Sequence, residues 1–337
     1  MYKSMKILMI NQPLNNRGDE SAHRALINTI LKEIPKADIT VLFNEKKNTK
    51  QEDSVRQFSV DSPRVKYVIV KPCISKGMAF IEKIGQKYNL HFIWRLHPGI
   101  RKFMSYFKKT DVVLCAPGGM CMGGFQRWGH VFELQCAKYY KKPLVYYGRS
   151  FGPFPMLTSD NKKFKELSLE MLNYFSFLSI RDKKTEAIAN ELNIKNYVSV
   201  VDSAFLETPQ IELPHEIASL LLGSKYITFV PNLLIWHPAY KGLLSKKEVV
   251  DFYCNVLDCL FEKYPTHKIV MLPQTFDCDT VDGNDVNLFR EIKKVKADER
   301  ILVVNDTYSS NIQQAIVAKA NLVIGARYHS IVFAINN

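Results

Sequence analysis

The chain contains no run of about 18 apolar residues, so it holds no candidate membrane-spanning helix. It also lacks internal repeats and low-complexity stretches, which excludes solenoids and linker-like architectures. Its 8 histidines and 7 cysteines show no zinc spacing. Asp277-Cys278-Asp279 resembles a metal-binding acid pair only superficially, since two acids this close are common. Asp277, Asp279, Asp282 and Gly283 miss a calcium-loop register by one residue. No metal site is expected from these residues. Acidic residues are in deficit, 33 against 46 basic ones, for a net charge of +13. That excess favours acidic partners such as phosphorylated small molecules, an anionic membrane face or nucleic acid, without choosing among them.

The cysteine count is odd, and several cysteines sit in apolar runs such as Val112–Ala116. Free thiols in a reducing compartment are the simplest reading, which predicts a cytoplasmic protein. The apolar stretch Ile7–Ile10 is too short for a signal sequence and reads as a strand. Hydrophobic residues make up 47%, which excludes wholesale disorder, and 337 residues suit two domains.

Short apolar runs alternate with helical patterns. Strands are expected at Met5–Ile10, Ile39–Phe43, Val65–Val70, Val112–Ala116, Leu144–Gly148, Phe177–Ile180 and Val198–Val201. A second set falls at Tyr226–Val230, Lys268–Leu272, Ile301–Val304 and Leu322–Ile324. Runs apolar on both faces suit parallel sheets covered by helices. Ala22, Leu26, Ile30 and Leu31 mark one helical stripe, and Val249, Tyr253, Val256 and Leu260 another. The fold class is α/β, with two Rossmann-like doubly wound domains. Their expected extents are 1–205, a 206–225 linker punctuated by Pro209, Pro214 and Gly223, and 226–337. Such a pair predicts an interdomain cleft at the carboxyl ends of the strands. The sequence stops seven residues after Ser330, so either strands are missing beyond Asn337 or the last helix closes the fold.

Chemistry-bearing residues collect at predicted strand ends. Asn16-Arg17-Gly18-Asp19-Glu20 follows the first strand. Gly18 permits close backbone approach, and Asp19 or Ser21 can cap the next helix. Pro117-Gly118-Gly119 opens a glycine-rich loop that lacks the pattern of a P-loop or a dinucleotide fingerprint. Gly148-Arg149-Ser150 puts a guanidinium at a strand end, where it can hold a carboxylate or phosphate or pair with an acid. Arg181-Asp182 reads as structural, with Asp182 an N-cap. Gly325-Ala326-Arg327-Tyr328-His329-Ser330 assembles a guanidinium, an imidazole and a helix start, a grouping suited to an anion and to proton exchange. The segment His91–Lys109 mixes aromatics with cations. It can lie on an anionic membrane, or its Ile100, Phe103, Met104 and Phe107 can form a core-facing stripe.

Taken in order, Asn16-x-Gly18-Asp19-Glu20, Pro117-Gly118-Gly119, Gly148–Pro153, Ser179–Asp182, Val201–Phe205, Leu272-Pro273-Gln274 and Gly325–Ser330 resemble the polysaccharide pyruvyl transferase family. The resemblance spans nearly the whole chain. It departs at Pro117, where the family often has glycine, and at Arg149, where it often has glutamine. It implies a glycosyltransferase-B-like fold with an acceptor-side first domain and a donor-side second one. It also implies phosphoenolpyruvate as donor and a pair of sugar hydroxyls as acceptor, free or lipid-linked. On that reading His329 is the acid–base or phosphate-stabilising group and Asp19 serves the acceptor. Arg327, Ser330, Arg149, Gly18, Gly118 and Gly119 bind substrate. Peripheral contact with an anionic membrane is compatible with a lipid-linked acceptor, and no nucleic-acid partner is expected. Two competitors remain: a nucleotide-sugar glycosyltransferase of the same architecture, and a basic protein that binds anionic lipid or nucleic acid without catalysis.

Overall fold

A computed structural model describes residues 4–44, 49–70, 79, 82–85, 97–118, 122–123, 126–209, 212–233, 235, 242–276 and 283–337. Contacts divide the chain into two compact units. The first comprises residues 1–13 and 22–203, and the second residues 14–21 and 204–337.

The first unit is built on seven strands: β1 (Met5–Ile10), β2 (Ala37–Asn44), β3 (Val65–Val70), β4 (Val112–Cys115), β5 (Leu144–Tyr146), β6 (Phe177–Ile180) and β7 (Val198–Ser199). Their order in the sheet is β3-β2-β1-β4-β5-β6-β7, and every pairing is parallel. The switch point lies between β1 and β4, where Ile7 registers with Val112 and Ile10 with Cys115. Between strands run helices α1 (Arg17–Glu33), α2 (Thr49–Phe58), α3 (Pro98–Lys109), α4 (Trp128–Tyr139), α5 (Ser159–Tyr174) and α6 (Lys183–Glu191). One core joins Leu8, Ile10, Phe103, Phe107, Phe132 and Phe164.

Helix α3 shows where the apolar stripe of this segment goes. His97 caps it through Nδ1, which accepts from Ile100 N, and Pro98 supplies the first position. Ile100, Phe103, Met104 and Phe107 are buried in the core, so the apolar stripe faces inward. Residues 91–96 lie outside the described residues. Strand β5 ends two residues earlier than its apolar run because Gly148 takes φ 55° and gives its N–H to Ser179 Oγ at 3.0 Å. Asp182 caps α6 as expected, accepting from Thr185 N at 2.7 Å, and Arg181 pairs with buried Asp202.

The second unit holds β8 (Tyr226–Val230), β9 (Lys268–Met271), β10 (Ile301–Val303) and β11 (Leu322–Gly325), in the order β10-β9-β8-β11, again all parallel. Its helices are α7 (His215–Leu221), α8 (Lys246–Lys263), α9 (Asp285–Lys296), α10 (Ser310–Ala318) and α11 (Tyr328–Asn336). Strand β9 shows how the sheet is covered. Ile269 and Met271 join Leu257 and Phe289 of α8 and α9, while Val270 and the following Leu272 join Ile316 and Phe333 of α10 and α11. The stretch from 206 to 225, read as a linker from sequence, carries α7 and belongs to this unit.

Candidate active site

The turn after β11 is shaped by its smallest residue. A Cβ on Gly325 would lie 1.9 Å from Ser330 Oγ, so only glycine lets the strand pass this close to α11. Ser330 Oγ donates to the Arg327 carbonyl at 2.6 Å and is fully buried, which stitches the turn to the helix start. Sequence reasoning gave Ser330 a substrate; its hydroxyl proton is instead committed inside the turn.

Arg327, at the N-cap of α11, points its Nε–Nη2 edge at Asp285. The bond from Nε to Oδ2 is 2.8 Å, and a second, shorter one joins Nη2 to Oδ1. Asp285 opens α9 and is 3% exposed. Its Oδ2 also accepts the backbone N–H groups of Gln274 and Thr275, each at 2.9 Å. A carboxylate with this many charge-assisted partners is a rigid anchor. Arg327 therefore keeps its charge but is oriented by an acid that sequence reading overlooked. Its Nη1 makes no hydrogen bond among the described residues.

His329 lies one position into α11 and is 8% exposed. Its ring fits against Gly18: a Cβ there would stand 2.0 Å from Cγ and Nδ1. Gly18 is thus needed for approach to a side chain rather than for a special φ. The loop carrying it is held by Asn16, whose Oδ1 accepts from Gly18 N at 2.9 Å and Asp19 N at 3.3 Å. Helix α1 therefore starts at Arg17 with Asn16 as its cap, which corrects the expectation that Asp19 or Ser21 caps it. Asp19 is half-buried in the first turn, where a negative charge suits the helix dipole.

Residues 14–18 run against Gln274–Phe276. Arg17 N donates to Gln274 O at 2.8 Å, Phe276 N to Asn15 O at 2.9 Å, and Asn16 bridges Thr275. The Arg17 side chain is wholly buried, 2.8 Å from Glu20 and over the Phe276 ring. Glu20 accepts from Ser310 N, and Ser310 Oγ donates to Glu207 at 2.7 Å, as does Gln314. Two buried atoms beside this loop, Gln274 Nε2 and Thr275 Oγ1, have no hydrogen-bond partner among the described residues. Buried polar atoms are rarely left so, and a polar ligand would satisfy them. Gly18, Asp19, Gln274, Thr275, Asp285, Arg327 and His329 thus form one polar centre of the second unit.

The other expected ligand residues stand in the first unit. Arg149 is 1% exposed, and its Nη1 donates to the carbonyls of Asn11 at 3.0 Å and Ala116 at 2.5 Å. It ties together the chain just beyond β1 and β4 rather than standing at the surface for an anion. Gly118, φ 150°, forms a parallel bridge with Arg149. Gly119 lies outside the described residues, as do Asp277, Asp279 and Asp282. No group of metal-ligating side chains occurs among the described residues, and no described helix is long and apolar enough to cross a membrane.

Solved structures of this architecture are numerous. UDP-GlcNAc 2-epimerase of Methanocaldococcus jannaschii matches with a TM-score of 0.54 at 11% identity, over 98% of this chain and 81% of that one. MnaA of S. aureus with UDP gives 0.52 at 11% identity, covering 96% and 75%. UGT89C1 of Arabidopsis thaliana with UDP-L-rhamnose gives 0.51 at 16%, covering 99% and 78%. Likeness at such identities shows the fold alone, a glycosyltransferase-B-like pair of parallel-sheet units. No curated protein sequence matches. The family model described as polysaccharide pyruvyl transferase, however, matches residues 16–337, from the Asn16 cap through the His329 turn. The chain belongs to the polysaccharide pyruvyl transferase family and is a transferase.

Proposed function

We propose that the protein transfers pyruvate from phosphoenolpyruvate to two hydroxyls of one sugar, making a cyclic ketal on a cell-surface polysaccharide or its precursor. The observation that supports this most is the gathering of Gly18, Arg327 and His329, distant in sequence, within the family-matched region. The donor carries a carboxylate and a phosphate. Arg327, pre-oriented by Asp285, offers Nη1 to one of them, and Gln274 and Thr275 offer neutral polar atoms.

In the proposed reaction His329 gives a proton to the donor methylene carbon, leaving a cation at C2. A sugar hydroxyl oxygen bonds to C2 and loses its proton to Asp19. The C2–O bond to phosphate then breaks, and phosphate leaves with the electron pair toward Arg327. The second hydroxyl closes the ring at C2 and gives its proton to His329, restoring the acid, while the proton held by Asp19 passes to the departed phosphate. Charge stabilisation of the departing phosphate is the largest task asked of the site. The reaction needs no metal or organic cofactor. We assign it to the cytoplasm, in keeping with the unbridged Cys115, Cys136, Cys254 and Cys259.

The test incubates the protein with galactose- or mannosamine-type acceptors and either phosphoenolpyruvate or nucleotide sugars. Expected is a product heavier by a pyruvyl ketal, phosphate release that requires the acceptor, and a loss of about 100-fold or more in His329→Ala. Phosphate release that survives this substitution would sink the role given to His329. Glycosyl transfer from a nucleotide sugar would replace the donor altogether.

A further inference from the structure

The residue between the cap of α1 and the glycine that faces His329 is charged, yet it has no exposure. Arg17 is 0% exposed. Arginine is almost never buried to this depth unless it is paired, so what it holds is informative.

Its ties run along the loop and across it. Nη2 donates to the Leu14 carbonyl, three residues earlier, and Nη1 lies 2.8 Å from Glu20 Oε2, three residues later. The Arg17 backbone N–H donates to Gln274 O at 2.8 Å, and the guanidinium lies over the Phe276 ring, 5.3 Å from its centroid. Phe276 N in turn donates to Asn15 O at 2.9 Å. One side chain thus fixes both ends of the stretch 14–20 and its height over residues 274–276. Gly18 and Asp19 lie inside that stretch.

The tolerance at Gly18 is small. A Cβ there would stand 2.0 Å from Cγ and Nδ1 of His329, so backbone and ring already touch. A small shift of the loop moves the ring or opens a gap beside it. Stability alone does not call for an ion pair here. Taking two charges out of water costs about as much as their attraction returns, and an uncharged pair of the same size holds a fold as well. What the guanidinium adds is direction. It reaches a carbonyl and a carboxylate while stacking on a ring, which an ammonium cannot do.

We propose that Arg17 is a positioning residue for the transfer reaction, setting Asp19 and the Gly18 face of the His329 ring in their working places; the assignment rests on the pyruvyl-transfer reading above. Two variants test it. Arg17→Met/Glu20→Gln leaves no buried charge and keeps an acceptor for Ser310 N, and Arg17→Lys keeps the charge without the fork. Thermal melts confirm folding, and should the double variant fail to fold, the lysine variant carries the test. In each folded variant kcat should fall ten-fold or more. The KM for phosphoenolpyruvate should stay within two-fold, because the donor grip rests on Asp285 and the turn after β11. The ring-proton NMR signal of His329, identified by its loss in His329→Ala, should also move. A folded variant that turns over within two-fold of the wild type, or whose His329 signal stays in place, overturns the proposal. Should the wild type transfer no pyruvate from phosphoenolpyruvate, the donor reading falls, and the His329 signal alone decides: movement upholds the positioning by Arg17, and no movement overturns it.

Discussion

At the scale of single residues, Arg327 shows what sequence reading reaches. A guanidinium beside a histidine at a strand end was visible as an anion grip. Asp285 was not, because an acid at the first position of a helix is ordinary, and only the fold brings it 42 residues back to Arg327. Removing one partner of a largely buried ion pair costs roughly 3–5 kcal/mol. We expect Asp285→Asn to lose about 3 kcal/mol in urea melts and to raise the KM for the donor more than it lowers kcat. A stability loss with unchanged KM would make the pair structural only. Gly18 gives a second test. Gly18→Ala forces a methyl into the His329 ring, so turnover should fall about 100-fold while the circular dichroism spectrum is kept. The glycine was legible as a close approach, but its neighbour was not. Arg17 was passed over because a charged residue is presumed solvated, and its complete burial is a tertiary fact.

At the scale of elements, eleven apolar runs became eleven strands, with ends shifted by a residue or two. They were legible because strands buried on both faces must be apolar throughout. The start of α1 was misplaced for a local reason. Asn16, Asp19 and Ser21 all favour caps, and the choice among them depends on where the backbone turns. Asn16→Ala is expected to cost about 0.5–2 kcal/mol, read by thermal melts. Asp19→Asn removes only a first-turn charge from the helix, worth about 0.3–1 kcal/mol, so a ten-fold or greater loss of turnover in it would come from chemistry. Helix α3 carries the opposite lesson: basic aromatics suggested a surface, but spacing at Ile100, Phe103, Met104 and Phe107 governs what is buried.

At the scale of the whole molecule, buried histidines set the response to acid. His23 is lowered to about 3, by burial first and then by the Arg24 charge, and His130 is lowered well below its usual value. The unfolded chain, with histidines near 6.5, binds more protons than the folded one, so stability falls as pH drops below about 6.5 and for His23 goes on falling toward 3. Each histidine contributes a slope of up to about 1.4 kcal/mol per pH unit. Urea midpoints between pH 7 and 4 should show this loss, and His23→Gln should reduce the slope by up to half. A slope unaffected by that substitution would assign the acid sensitivity to other groups.

The docking of residues 14–21 into the second unit also has a consequence in time. Glu20 meets the N–H of Ser310 across 290 residues of chain. During synthesis this short loop leaves the ribosome well before its partner Ser310, which follows 290 residues after Glu20. The polar centre around His329 therefore waits until both stretches of chain have been made. A fragment beginning at residue 204 would carry Arg327, Asp285 and His329, yet lack the loop that packs against the histidine ring.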